Sequence, residues 1–129
     1  MIEYNDATAE VRAVYDDIMR TRGIDWINNF WKSLAYHPAT LTRTWESVKQ
    51  IMGAPAGEGS LSVLTKEMLY LAVSVTNGCA YCIASHGAAA RKAGMTDTMF
   101  GELMAVVGMA NETNRLANGY RMEIDRQFQ

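Results

Sequence analysis

The sequence predicts an all-α protein of about six or seven helices, arranged as a single domain over residues 1–129. Three observations carry that expectation. Apolar residues recur at helical spacing through most of the chain. The ten glycines and two prolines fall mostly between the periodic stretches. The one segment that passes for a strand, the Val-rich end of "MLYLAVSV", has no second strand to pair with.

Each element follows in order. Asp6 is placed to cap a helix running towards Arg22, with Val11, Val14, Tyr15 and Ile18 on one face and Gly23 at its end. Asp25 is placed to cap a short aromatic helix, "WINNFWKSLAY". His37 precedes Pro38 at a helix start and reads as a loop or surface residue. Pro38 suits the first turn of "ATLTRTWESVKQIM", where Leu41, Trp45, Val48 and Met52 recur at helical spacing before Gly53. "GAPAGEGS" is the clearest loop. It lacks the Gly-Lys-Ser/Thr ending of a phosphate loop, so its role is structural. "LTKEMLYLAVSVTNG" reads as a mostly buried helix broken by Gly78. "CAYCIASHGAAARKAG" is the next, ended by Gly94. "TDTMFGELMAVVG" and "NETNRLANGYRMEIDRQF" supply two more.

Composition narrows the classes of function. The chain is 49% hydrophobic and 20% charged, as in an ordinary globular domain of its 129 residues. The net charge is −2 and no Lys/Arg run exists, so nucleic acid is not an expected partner. No apolar run approaches the length of a membrane span, and no membrane association is expected. The first residues, "MIEYNDATAEVRAVYDD", do not have the basic-then-apolar order of a secretory signal. The expected location is the cytoplasm, where a disulfide is more often catalytic than structural. That makes the glycosylation sequon at Asn111–Thr113 irrelevant. The nine methionines read as gap-fillers in a core or subunit interface.

The chemistry concentrates in "NGCAYCIASHG", residues 77–87, which holds both cysteines and one of the two histidines. On a helix turning about 100° per residue, Cys79, Cys82 and His86 share a narrow arc. Ala80, Ala84, Gly87 and Ala88 form another side, small enough to press against a neighbouring helix. The expectation is a helix held by its small face and offering its Cys/Cys/His face outward.

The two cysteines fall in the first turn, where unpaired N–H groups and the helix dipole favour an anion. An ordinary thiol is roughly 3% ionised at pH 7, and lowering its pKa by two units makes that roughly 75%. The i,i+3 spacing brings the sulfurs close enough to bond. His86, one turn beyond Cys82, can hold a proton that a thiol releases or a leaving hydroxide needs. Glu67, at the head of the preceding helix, is the best candidate for the acid that orients it, or else a plain N-terminal acid.

Redox chemistry is favoured over two alternatives. Zinc wants four ligands; Cys79, Cys82 and His86 give three, with Glu67 as the candidate fourth, and a single C-x-x-C is weak support for a metal site. Buried structural cysteines are the plain alternative. A thioredoxin-type pair needs a βαβ setting that this chain lacks.

Glu67 followed by "LAVSVTNGCAYCIASHGAAARKAG" resembles the core of the alkylhydroperoxidase D family, within the carboxymuconolactone decarboxylase superfamily. The pattern E-x(11)-C-x-x-C-x-x-x-H is met at Glu67, Cys79, Cys82 and His86, and the likeness is good over residues 60–95. Where the well-studied peroxidase has a histidine before the second cysteine, this chain has Tyr81. The resemblance implies an all-helical fold assembling as a homo-oligomer, a trimer or hexamer. It implies a thiol peroxidase acting on hydrogen peroxide or organic hydroperoxides, with Cys82 as nucleophile, Cys79 as resolving cysteine, and His86 and Glu67 as proton relay. No bound cofactor or metal is implied. An external dithiol, dihydrolipoamide-like or thioredoxin-like, or a protein reductant would restore the thiols. Tyr70, Tyr81 and Trp31 are aromatic candidates for lining a hydroperoxide pocket. Competing readings are a disulfide-exchange adaptor that reduces a peroxiredoxin, and a carboxymuconolactone decarboxylase-type lactone enzyme.

Overall fold

The computed structural model describes residues 1–53 and 59–129. It is all-helical, with six α-helices and two short 3₁₀ turns among the described residues. The middle of the "GAPAGEGS" loop, residues 54–58, lies outside them. The chain divides into two compact units, Met1–Gly59 and Ser60–Gln129. No described helix is long and apolar enough to cross a membrane.

The first unit contains a 3₁₀ turn (Tyr4–Asp6), α1 (Ala9–Arg22), α2 (Asn29–Leu34) and α3 (Pro38–Met52). Asp6 is not the cap of α1. It ends the 3₁₀ turn, and Thr8 caps the helix, its Oγ1 accepting from the Val11 N–H at 3.4 Å. The reason is reach: a capping side chain serves the amide two or three residues on, and Thr8 is the polar residue at that distance. Gly23 closes α1 as expected, with φ +63, in the left-handed conformation that costs glycine least.

The second helix also starts later than Asp25 implies. Asn28 is extended (φ −74, ψ 154) and is its N-cap. That register sends Ile27 into the core and leaves Trp26 at the surface. At α3 the expected proline start holds. His37 is its N-cap, Nδ1 accepting from the Thr40 N–H at 3.2 Å, so a residue read as surface has a structural task.

Val11, Tyr15 and Ile18 of α1 meet Trp31 of α2 and Leu41 and Trp45 of α3 in one core. Trp31 and Trp45 pack edge to face, with the Arg22 guanidinium over both rings. Asp17 ties α1 to α3: its carboxylate accepts from Trp45 Nε1 at 2.6 Å and Lys49 Nζ at 2.8 Å, and also pairs with Arg20. The Lys49 hydrogen bond, then that of Trp45, holds the Asp17 pKa down at about 2, against the opposing effect of partial burial.

A pKa lowered by folding gives stability that is complete above the unfolded value of 3.8 and lost as pH falls towards 2. Asp17→Asn should therefore cost about 2 kcal/mol at pH 7, the worth of a hydrogen bond to a charged group. The gap between variant and wild type should close as pH drops from the unfolded towards the folded value. Tryptophan fluorescence during urea unfolding checks this, because all three tryptophans lie in the first unit.

The second unit contains α4 (Val63–Thr76), α5 (Ala80–Lys92), α6 (Asp97–Gly119) and a terminal 3₁₀ turn (Arg126–Phe128). Ser62 caps α4 through the Thr65 N–H. Leu71, Ala90 and Met95 form its buried core, with Leu64, Met68, Val75, Ile83, Met99, Phe100 and Leu103 packed around them. The two helices expected after Gly94 are one. Gly108 does not break α6, since an interior glycine costs only about 1 kcal/mol. Buried Val107 before it and Asn111 after it hold the helix together there. The Asn111 amide donates to the Val107 carbonyl at 2.8 Å and to Thr76 Oγ1 on α4 at 3.0 Å. The helix then ends at Gly119, and Tyr120, Met122, Ile124 and Phe128 are exposed beyond it.

Candidate active site

The site is built on the hairpin of α4 and α5. The turn between them is three residues long, and Gly78 at φ +68 supplies the reversal. The Cys79 N–H then donates back to the Ser74 carbonyl at 3.0 Å, which closes the turn against α4.

Cys79 is the N-cap of α5 rather than its first helical residue. Its backbone is extended (φ −83, ψ 90), and its Sγ accepts from the Cys82 N–H at 3.3 Å. Cys82 sits at the third helical position. The two are joined as a disulfide, with Cα atoms 5.3 Å apart. Both side chains are half-buried. The pair thus occupies the end of α5 where backbone N–H groups lack helical partners.

His86 follows Cys82 by one turn on the same face. Its Nδ1 lies 2.7 Å from Glu67 Oε2 on α4, and both side chains are largely shielded, 21% and 13% exposed. A carboxylate that accepts from Nδ1–H fixes the tautomer and leaves Nε2 as the proton-exchanging nitrogen. The Tyr70 ring stacks on the imidazole, with centroids 3.5 Å apart and planes 16° from parallel. Ser74, buried on the same face of α4, donates to the Tyr70 carbonyl at 2.8 Å.

All four residues picked out in the sequence therefore belong to one hairpin, as a disulfide pair and a carboxylate–imidazole pair. One expectation about α5 is reversed. Ala80, Ala84 and Ala88 are exposed, and a Cβ added at Gly87 would meet nothing within 4 Å. The helix packs on α4 through Ile83, His86 and Ala90 instead. A hydrogen bond to a charged group and two apolar contacts outweigh the close approach that alanines allow. The catalytic candidates consequently lie at the seam between two helices.

Of the aromatic pocket candidates, Tyr81 is exposed and Trp31 belongs to the first unit's core. Tyr70 meets His86, a pairing the sequence reading missed. The available signal was spacing: Tyr70 is three residues after Glu67 and shares its helix face. Among the described residues, no three His, Cys, Asp or Glu side chains are grouped to hold a metal ion.

No curated protein matches the chain. A crystal structure of an alkylhydroperoxidase AhpD core from Rhodospirillum rubrum is similar over 92% of this chain and 85% of its own, with 51% identity and a TM-score of 0.85. The sequence model of the carboxymuconolactone decarboxylase family matches residues 39–122, which include the whole hairpin and its four candidates. The chain belongs to the carboxymuconolactone decarboxylase family, as an AhpD-like member.

Proposed function

We propose that the chain is a thiol-dependent peroxidase that reduces hydrogen peroxide or organic hydroperoxides. One observation carries the reading: a cysteine pair at the head of α5 shares its hairpin with a hydrogen-bonded Glu67–His86 pair. The likeness to an alkylhydroperoxidase core supports it.

In the reduced protein His86 takes the Cys82 proton on its free nitrogen, and the first-turn position of Cys82 in α5 favours the thiolate that results. Its sulfur attacks the terminal oxygen of the hydroperoxide. An S–O bond forms, the O–O bond breaks, and the leaving alkoxide takes a proton from His86 to depart as the alcohol. Cys82 is then a sulfenic acid. Cys79 passes its proton to the relay as its sulfur attacks that of Cys82, the S–O bond breaks, and hydroxide leaves as water with that proton. The product is the disulfide. Glu67 holds the imidazole in one orientation and offsets its charge while protonated. In sum, two thiols and one hydroperoxide become a disulfide, an alcohol and water. An external dithiol, of dihydrolipoamide or thioredoxin type, returns the two electrons and two protons by thiol–disulfide exchange.

The test is to reduce the protein, remove the reductant, add a stoichiometric amount of tert-butyl hydroperoxide and follow intact mass. The expected result is loss of two hydrogens far faster than glutathione is oxidised in parallel. Oxidation no faster than that of a free thiol overturns the reading. The same half-buried disulfide would then serve as an exchange adaptor that takes electrons from a dithiol and passes them to a peroxiredoxin. Lactone decarboxylation, suggested by the family's name, needs no cysteine pair, and its survival in Cys82→Ser would favour that reading.

A further inference from the structure

We infer that Tyr70 is a positioning residue, which fixes the plane of the His86 ring so that one nitrogen meets Glu67 and the other is left for proton exchange. The inference rests on the reading of Glu67 and His86 as the relay. A histidine ring turns easily about its last torsion, where the preference is broad and roughly two-fold. The Glu67 hydrogen bond holds one nitrogen at 2.7 Å but still lets the ring rock about that contact. A second constraint of a different kind is needed to set the plane. The Tyr70 ring provides it, nearly parallel to the imidazole and with centroids 3.5 Å apart.

Two features argue that this contact is more than general packing. Tyr70 is 38% exposed and is not among the residues of the Leu71, Ala90 and Met95 core. Its main chain is also anchored, because buried Ser74 donates to its carbonyl at 2.8 Å. The ring face makes the contact, so phenylalanine should replace tyrosine and an aliphatic residue should not.

The experiment uses the full chain, reduced, with histidine labelled in 13C and 15N. The chain has two histidines, so His86→Ala assigns the signals. A ring stacked on an aromatic face has its carbon-bound protons shifted upfield. Tyr70→Phe should keep the His86 signals, its ring 15N tautomer pattern and the wild-type rate of oxidation by tert-butyl hydroperoxide. Tyr70→Leu should move those signals downfield and slow oxidation roughly tenfold to a hundredfold, the scale for a misplaced catalytic group. In a His86→Ala background, Tyr70→Leu should cause no further loss, because it acts through that ring.

Unmoved His86 signals in Tyr70→Leu would overturn the inference. So would a phenylalanine variant as slow as the leucine one, or losses that multiply in the double variant. If the wild type is oxidised no faster than a free thiol, the peroxidase reading fails by itself. The resonance arm then decides the positioning role alone: a downfield move in Tyr70→Leu but not in Tyr70→Phe supports it, and no move refutes it.

Discussion

Cys82→Ser should remain fully reduced-mass protein when treated with hydroperoxide at a rate where the wild type loses two hydrogens, while Cys79→Ser should gain a single oxygen and stop. The chain has only these two cysteines, so each variant carries one thiol and the mass change is unambiguous. The asymmetry follows from position. Cys82 is one turn from His86, the proposed proton donor to the leaving oxygen, and lies within the helix at its third residue. Cys79 is the N-cap and is poised to close on its neighbour, with Cα atoms 5.3 Å apart. The effect on Cys82→Ser should be a fall to the background rate of an isolated thiol, since serine at neutral pH is no substitute nucleophile for a thiolate. Cys79→Ser is a gentle change structurally. Serine is among the best N-cap residues, so α5 keeps its cap and melting should match that of the reduced wild type. An oxygen adduct in Cys82→Ser alone would exchange the two roles.

In the second unit the largest stability effect is expected at Leu71. Its side chain is fully buried between α4 and the Ala90–Met95 region, with Glu67 one turn before it and Ser74 one turn after. Leu71→Ala should cost about 3–4 kcal/mol, combining lost apolar burial with the cavity left behind. For a chain of this size that is a fall in melting temperature of about 11–15 °C. Leu71→Met, which nearly conserves volume, should cost less than about 1.5 kcal/mol. Far-UV circular dichroism in urea is the appropriate measure, since the second unit has no tryptophan. Peroxide oxidation measured well below the transition should survive in Leu71→Ala, and that separates its role from those of Glu67 and His86. A loss under 1 kcal/mol would mean that the hairpin relaxes around the gap.

Local signals in the sequence found most of the fold. Gly23, Pro38 and Gly78 each end or begin a helix where their backbone preferences put them. The errors came where two signals competed nearby. Thr8 outreached Asp6 for the amide at Val11, and Asn28 displaced Asp25 because the later start buries Ile27. Gly108 read as a break because the anchor beyond it, Asn111 to Thr76 on α4, is tertiary.

The site was legible in the same uneven way. Cys79, Cys82 and His86 share a helix, so spacing alone grouped them. Glu67 lies on another helix: the sequence offered it as the acid that orients His86 or as a plain N-terminal acid, and the family resemblance favoured the first. The packed side of α5 was misjudged because alanines report what a face permits, not what faces it. The Tyr70 stack needs the relative rotation of two helices, which no single periodicity encodes.

The three-residue turn at Asn77–Cys79 has a consequence for how this protein tolerates changes in length. Glu67 and His86 meet only because the residue counts on either side of that turn bring both to one seam. One residue inserted between Glu67 and Thr76, or between Cys82 and His86, would rotate one partner by about 100° and carry it off the seam. The span from Glu67 to His86 therefore behaves as a fixed-length cassette. Insertions and deletions among functional relatives should fall outside it, as should any tag or domain spliced into this chain.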